Sequence, residues 1–140
     1  MRITDIEDRL SLRDLVESYA RCADDRASAE LAALFLPDGV LRAPDGTHTG
    51  RAEIATAIAR LDRFVETFHF LGNHRSVLLG DEATGETACT AHHLLSNEDG
   101  HVDLTLLIRY HDRFRRTAQG WRFAEREIRV AWSERHPVRR

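Results

Sequence analysis

Two histidines, His69 and His93, carry the side chains of this sequence best suited to chemistry. Imidazole titrates near neutral pH, so two of them facing one cavity form an acid–base pair. His69 stands in the run Thr67-Phe68-His69-Phe70-Leu71-Gly72-Asn73. His93 ends a strand-like stretch in which one parity is nearly all small: Ala83, Gly85, Thr87, Cys89 and Ala91. Small side chains on one strand face leave space above it, and a histidine at the end of that face projects into the space. Neighbouring strand residues point to opposite faces, so His93 enters the cavity and His92 faces away, unless a bulge intervenes.

The same histidines are poor metal ligands as spaced. Cys89 and His93 share a face but lie about 13 Å apart along a strand, too far for one ion. His92 and His93 diverge, and no His-x-x-x-His pair sits on a helix. No metal and no cofactor is expected, and there is no Gly-rich phosphate loop. Cys22 and Cys89 do not make a disulfide framework, and a buried thiol is ordinarily inert packing. His48, His74, His101, His111 and His136 read as surface or turn residues.

The elements that must position the pair follow from periodicity. Thr4 to about Asp25 predicts a long helix, with Thr4 and Glu7 as a capping box and an apolar stripe from Ile6 and Leu10 to Ala23. Ser28 to Leu36 predicts a second helix, ended by Pro37-Asp38-Gly39. Val40 to Ala43 is a short strand before the turn Pro44-Asp45-Gly46. Arg51 to about Val65 predicts a third helix. Four long strands follow: Phe68 to Leu79, Ala83 to Ser96, Val102 to Thr117 and Trp121 to Trp132, joined by tight turns. In the third, Leu104, Leu106, Ile108, Tyr110 and Phe114 alternate. Arg135 to Arg140 reads as a solvated basic tail.

Three N-terminal helices followed by a meander of long antiparallel strands define an α+β domain over residues 1–140. Strands this long bend, so the expected shape is a cone: a strongly curved sheet wrapped around the helices, with an internal pocket. A formal charge of −3 and a pI near 6.2 give no reason to expect nucleic acid. No run of apolar residues is long enough to span a membrane, and the polar Met1-Arg2-Ile3-Thr4-Asp5 start does not look like a signal peptide. A cytoplasmic location is expected.

In this order the elements resemble the nuclear transport factor 2-like superfamily, and within it the SnoaL-like and scytalone dehydratase-like branch. The resemblance runs from about Ile3 to Trp132. Its carriers are Tyr19-Ala-Arg-Cys-Ala-Asp24, Leu31-Ala-Ala-Leu-Phe-Leu-Pro-Asp-Gly39, Gly50-Arg51, His69-Phe-Leu-Gly-Asn73, Gly80-Asp-Glu-Ala-Thr-Gly85, His93, Arg109-Tyr-His-Asp112 and Gly120-Trp-Arg-Phe123. The resemblance implies a tyrosine on the first helix at Tyr19, a carboxylate five residues later at Asp24, a strand-start histidine at His69 and an acid–base residue at His93. It offers no second tyrosine on the early strand Val40 to Ala43. The fold hosts dehydratases, isomerases, cyclases, hydrolases and non-enzymes alike.

Together these residues suggest a small-molecule lyase or isomerase acting on a cyclic, polyketide- or steroid-like carbonyl compound. His69 takes a proton beside the carbonyl. Asp24 holds the His69 tautomer, Tyr19 donates to the carbonyl, and His93 protonates a departing hydroxyl or the far end of the dienolate. Loss of hydroxyl makes a dehydratase, attack on a second carbonyl a cyclase, and reprotonation an isomerase, the first two being the main expectation. On a straight helix Tyr19 and Asp24 lie about 140° apart, so both face one pocket only if the helix end opens. Leu15, Leu34, Phe35, Phe64, Phe68, Cys89, Leu106, Phe123 and Ile128 are the expected pocket walls, which suits an apolar ring-containing ligand. The alternative is a non-catalytic binding or dimerisation domain. A homodimer or higher homo-oligomer is expected in either case, with Leu95, Leu107, Val130 and Trp132 on the exposed sheet face.

Overall fold

The computed structural model describes residues 2–140, and Met1 lies outside the described residues. Helix α1 (Ile3–Asp24) is followed by α2 (Ser28–Ala32), the hairpin β1 (Phe35–Ala43) and β2 (Gly46–Thr49), and α3 (Arg51–Ala59), which tightens into a 3₁₀ turn, Arg60–Arg63. Four long strands complete the chain: β3 (Glu66–Leu79), β4 (Glu82–Asn97), β5 (Gly100–Thr117) and β6 (Gly120–Val138). With β1 and β2 they form one curved six-stranded sheet in the order β2-β1-β6-β5-β4-β3. All pairings are antiparallel except β1 with β6, which is parallel. The fold is α+β, with the helices on the concave face.

Helix α1 lies across that face because one side of it is apolar at helical spacing. Leu12, Leu15, Val16, Tyr19, Cys22 and Ala23 are buried there. The stripe does not extend to the helix start: Ile6 and Leu10 are exposed. Nor does Thr4 cap the helix. Arg2 is the N-cap, and its backbone N–H donates to the Asp5 carboxylate at 3.2 Å. The second helix stops at Ala32, well short of Leu36, because Phe35 begins the strand beside β6. The β1–β6 register shifts between Phe35 and Val40, where Pro37 has no N–H to offer the ladder. The hairpin strand β2 was not expected. The basic tail is also more structured than expected: Arg135 to Val138 continue β6 opposite His101 to Leu104, with Arg135, His136 and Pro137 exposed and Val138 half-buried.

Three single-residue bulges decide which side chains reach the concave face. In β3 the register steps between Leu71 and His74. In β6 it steps opposite Arg113/Phe114 and again opposite Leu107/Ile108, which leaves Ala124 and Ala131 as the extra residues. Each extra residue exchanges the two parities of its strand. After the first bulge, His74 and Ser76 point inward. After the second, Arg126, Ile128 and Val130 do. After the third, Trp132 points out.

The small face of β4 is not empty space. A Cβ on Gly85 would sit 2.7 Å from the Phe114 ring, so glycine is what admits that ring. Ala83, Cys89 and Ala91 belong to the same buried cluster as Leu12, Val16 and Tyr19. The cavity begins only at the far end of that row, at His93.

Candidate active site

Between the sheet and the helix α3 turn lies a cavity of about 450 Å³. Its walls are mostly aliphatic, among them Leu41, Ile58, Leu61, Leu104, Leu106 and Ile108. The polar groups that reach it from inside are Tyr19, His69, His93 and Tyr110. Asp45, Arg60 and Arg63 stand at its helix side.

His69 reaches the cavity from the start of β3, where it pairs with Ala91. Its side chain is only 7% exposed. The Nδ1–H donates to Asp24 Oδ1 at 2.7 Å, and the His69 backbone N–H donates to Asp24 Oδ2 at 2.9 Å. The Thr67 hydroxyl donates to Asp24 Oδ1 at 3.0 Å. With Nδ1 held, Nε2 is the nitrogen left for a ligand. Arg26, in the left-handed region at φ 60°, closes the helix end. It donates from Nη1 to the Ala23 carbonyl at 2.9 Å and to the Thr67 hydroxyl at 2.8 Å.

Asp24 is therefore seated where its charge opposes the helix dipole, and three donors answer for it. Burial pushes its carboxyl pKa up. The hydrogen bonds from the His69 side chain and backbone outweigh that and hold it below the usual value. Helix α1 is intact to Asp24, so the end need not open. Tyr19 faces the cavity, while Asp24 grips His69 from the side and is not itself a wall.

His93 is buried, with 5% exposure. Its Nδ1–H donates to the Leu104 carbonyl at 3.0 Å, which fixes the tautomer and leaves Nε2 unprotonated. Burial lowers its pKa, partly offset by the Leu104 carbonyl and reinforced by the nearby His69. Its ring lies 5.8 Å from that of His69, nearly perpendicular at 77°, and 4.8 Å from the ring of Phe64. The lowered pKa favours the neutral ring, whose Nε2 is then a hydrogen-bond acceptor.

Tyr19 packs edge-on against Tyr110 and Phe123, with ring centroids 5.7 and 5.9 Å away. Burial raises its pKa to about 12, against the pull of Arg126, so the hydroxyl is a neutral donor. Arg126 is fully buried and paired bidentately with Asp112, at 2.8 and 3.1 Å. Its guanidinium lies over the rings of Tyr110, Tyr19 and Phe123, at 3.7, 4.3 and 4.6 Å from their centroids. Burial opposes that charge, but the Asp112 carboxylate outweighs it and keeps the guanidinium protonated.

Of the expected walls, Phe64, Leu106 and Ile128 line the cavity. Leu15 on α1 and Phe35, Cys89 and Phe123 beneath it are core residues instead, and Leu34 packs against that core. Phe68 is 59% exposed on the convex face. It neighbours His69 on a regular stretch of strand, so the two cannot share a face. Val130 lines the cavity rather than the outer sheet face, by the β6 bulge. His74 is not a surface residue: its Nδ1 meets the hydroxyl of fully buried Thr87 at 2.8 Å. Tyr110, Leu104 and Ile108 were missed as walls, although they share the parity of Leu106. Arg60 and Arg63 carry no sequence signal of their own, because only the tightened end of α3 brings them to the cavity.

Residues 4–127 match the SnoaL-like domain model. An uncharacterized protein of Mycobacterium tuberculosis (strain ATCC 25618 / H37Rv) is 29% identical over 90% of this chain and 87% of its own length. The crystal structure of a candidate scytalone dehydratase from Novosphingobium aromaticivorans DSM 12444 superposes with a TM-score of 0.88. It is 25% identical and covers 99% of this chain and 94% of that one. A nuclear transport factor 2-like protein with a cystatin-like fold, from the same species, superposes with a TM-score of 0.80. It is 28% identical over 93% of this chain and 86% of that one. With the family model matched along most of its length, the chain belongs to the SnoaL-like family of the nuclear transport factor 2-like superfamily.

Proposed function

We propose that the protein is a cofactor-independent lyase or isomerase that removes a proton beside a ring carbonyl and expels water from the neighbouring carbon. The observation that carries this reading is the Asp24–His69 pair at 2.7 Å, with the free imidazole nitrogen turned to an apolar cavity beside His93. The likeness to a candidate scytalone dehydratase supports the same reaction type.

His69 Nε2 takes the α-proton, and the anionic Asp24 stabilises the imidazolium that forms. The C–H electron pair becomes the enolate, whose oxygen accepts a hydrogen bond from the Tyr19 hydroxyl. Tyr110, whose pKa burial also raises, is a second neutral hydroxyl beside it. His93 Nε2 accepts a hydrogen bond from the departing hydroxyl and so orients it. The enolate collapses to the C=C bond, the C–O bond breaks, and His69 returns its proton to the leaving oxygen to give water. Reprotonation at a distant carbon would instead make the protein an isomerase, with the same groups.

The test uses 3-hydroxy-1-tetralone, a ring β-hydroxy ketone that loses water to give fluorescent 1-naphthol. Turnover that His69→Ala abolishes is the expected result. Saturable binding with neither naphthol formation nor deuterium exchange beside the carbonyl would leave a non-catalytic binding domain. A second reading concerns the convex face, where Phe70 and Trp132, both more than 60% exposed, flank a shallow apolar groove with Leu107. Such a patch suits a second copy of the chain. Sedimentation should show a dimer that Trp132→Arg dissociates, and a monomeric parent protein would dismiss it.

A further inference from the structure

The cavity is apolar inside and cationic on one side. Arg60 and Arg63 line it from the 3₁₀ turn after α3, and Asp45 is the one carboxylate among its lining residues. Arg60 pairs with Asp45, which His48 also contacts at 3.2 Å. The acid next to Arg63, Asp62, is engaged by Arg26 at 3.6 Å. Arg63 has no ion-pair partner among the described residues. Its guanidinium instead stacks on the Phe64 ring at 4.8 Å, and that ring packs on His93 at a further 4.8 Å. The free cation therefore lies within about 10 Å of the proposed reaction centre, joined to it by one aromatic surface.

We propose that Arg63 is a specificity-determining residue that reads a carboxylate on an otherwise apolar, ring-containing substrate. The inference rests on the small-molecule reading of this cavity and names the substrate class within it. A guanidinium is weakly hydrated, presents a planar fork of donors and matches a carboxylate bidentately. Stacking on Phe64 fixes the plane of that fork at low cost in side-chain freedom. A flat ring lying along Phe64 would place its reacting carbon near His93 and His69 and its carboxylate at the cavity edge, where the charge stays partly hydrated. Arg60 cannot do the same, since Asp45 already occupies it.

The probes are 2-naphthoate and its neutral isostere methyl 2-naphthoate, titrated by calorimetry at low and high salt. The acid should bind about tenfold tighter than the ester, and added salt should shrink that ratio. Arg63→Gln should weaken only the acid and bring the ratio near one, and Arg63→Lys should restore part of it. Arg60→Gln and His69→Ala should leave the preference for the acid in place. The proposal is overturned if the parent protein binds both probes equally, or if the preference survives in Arg63→Gln. It is overturned too if that variant loses acid and ester alike, since Arg63 would then shape the cavity rather than read charge. Binding alone is measured, so absence of naphthol formation would sink the catalytic reading without touching this one.

Discussion

The molecule contains two aspartate–histidine pairs with the same contact distance and opposite surroundings. On the concave side, His69 Nδ1 lies 2.7 Å from Asp24. On the convex side, His92 Nδ1 lies 2.7 Å from Asp103 and 3.1 Å from the Thr105 hydroxyl, and His136 lies 3.8 Å from the same carboxylate. Both carboxylates have pKa values held down by imidazole hydrogen bonds against the upward push of burial. The difference lies beyond the pair. The His69 side chain is 7% exposed and turned to an apolar cavity with a second imidazole; that of His92 is 40% exposed at the sheet surface. An aspartate can fix a tautomer in either place. Only the concave pair combines a fixed tautomer with water exclusion and donors for an oxyanion, which is what proton abstraction from carbon requires.

Breaking each pair in turn gives the largest expected contrast. Asp24→Asn should lower naphthol formation about 100-fold or more, since the amide can hold the wrong tautomer and cannot stabilise the imidazolium. Asp103→Asn should change it less than about twofold, by the same reasoning applied to a pair on the opposite face of the sheet from the cavity that holds His69, His93 and Tyr19. Equal losses would mean that Asp24 acts only by holding the fold. Tyr19→Phe comes next, with a loss of about tenfold in kcat and little change in KM. The loss is smaller because Tyr110 lines the same cavity with a second protonated hydroxyl. A change confined to KM would remove Tyr19 from transition-state stabilisation and leave it a wall.

The contrast also shows what was readable before folding. His93 over His92 was legible, because β4 runs without a bulge from Glu82 to Asn97 and strict alternation holds. The placement of Asp24 beside His69 followed from the family resemblance; periodicity alone argued against both it and Tyr19 facing one pocket. That objection holds: the helix stays intact, only Tyr19 faces the cavity, and Asp24 grips His69 from the side without entering it. The bulges were illegible. Phe123 and Ile128 stand five apart, a spacing that puts them on opposite faces of a regular strand, and only the extra residue at Ala124 brings both to the concave face, Phe123 in the core and Ile128 at the cavity. The same bulge turns Arg126 inward, a fully buried charge that no local rule announces. The β3 bulge likewise hides His74 from a parity argument. The small row on β4 was visible, but what fills the space above it depends on Phe114 and α1, which are distant in sequence.

The smallest effect separates the two regions by stability rather than by activity. His93 is buried with its pKa lowered from the ordinary 6.5, chiefly by loss of hydration. A depressed folded-state value means that the native protein binds this proton more weakly than the unfolded chain. Its contribution is then fully present above pH 6.5 and is lost as the pH falls through the folded value. His93→Phe should therefore flatten the fall in urea midpoint between neutral pH and pH 5, whatever it does at pH 7.5. His136, half exposed and 3.8 Å from Asp103, lies in the regime where solvent and salt screen an ion pair. His136→Asn should change the unfolding free energy by less than about 0.5 kcal/mol at any pH and ionic strength. Denaturation of both variants at pH 5 and pH 7.5 decides the matter. A larger acid response from His136→Asn than from His93→Phe would place the acid-sensitive histidine on the convex face, and the neutral, desolvated state assigned to His93 would have to be given up.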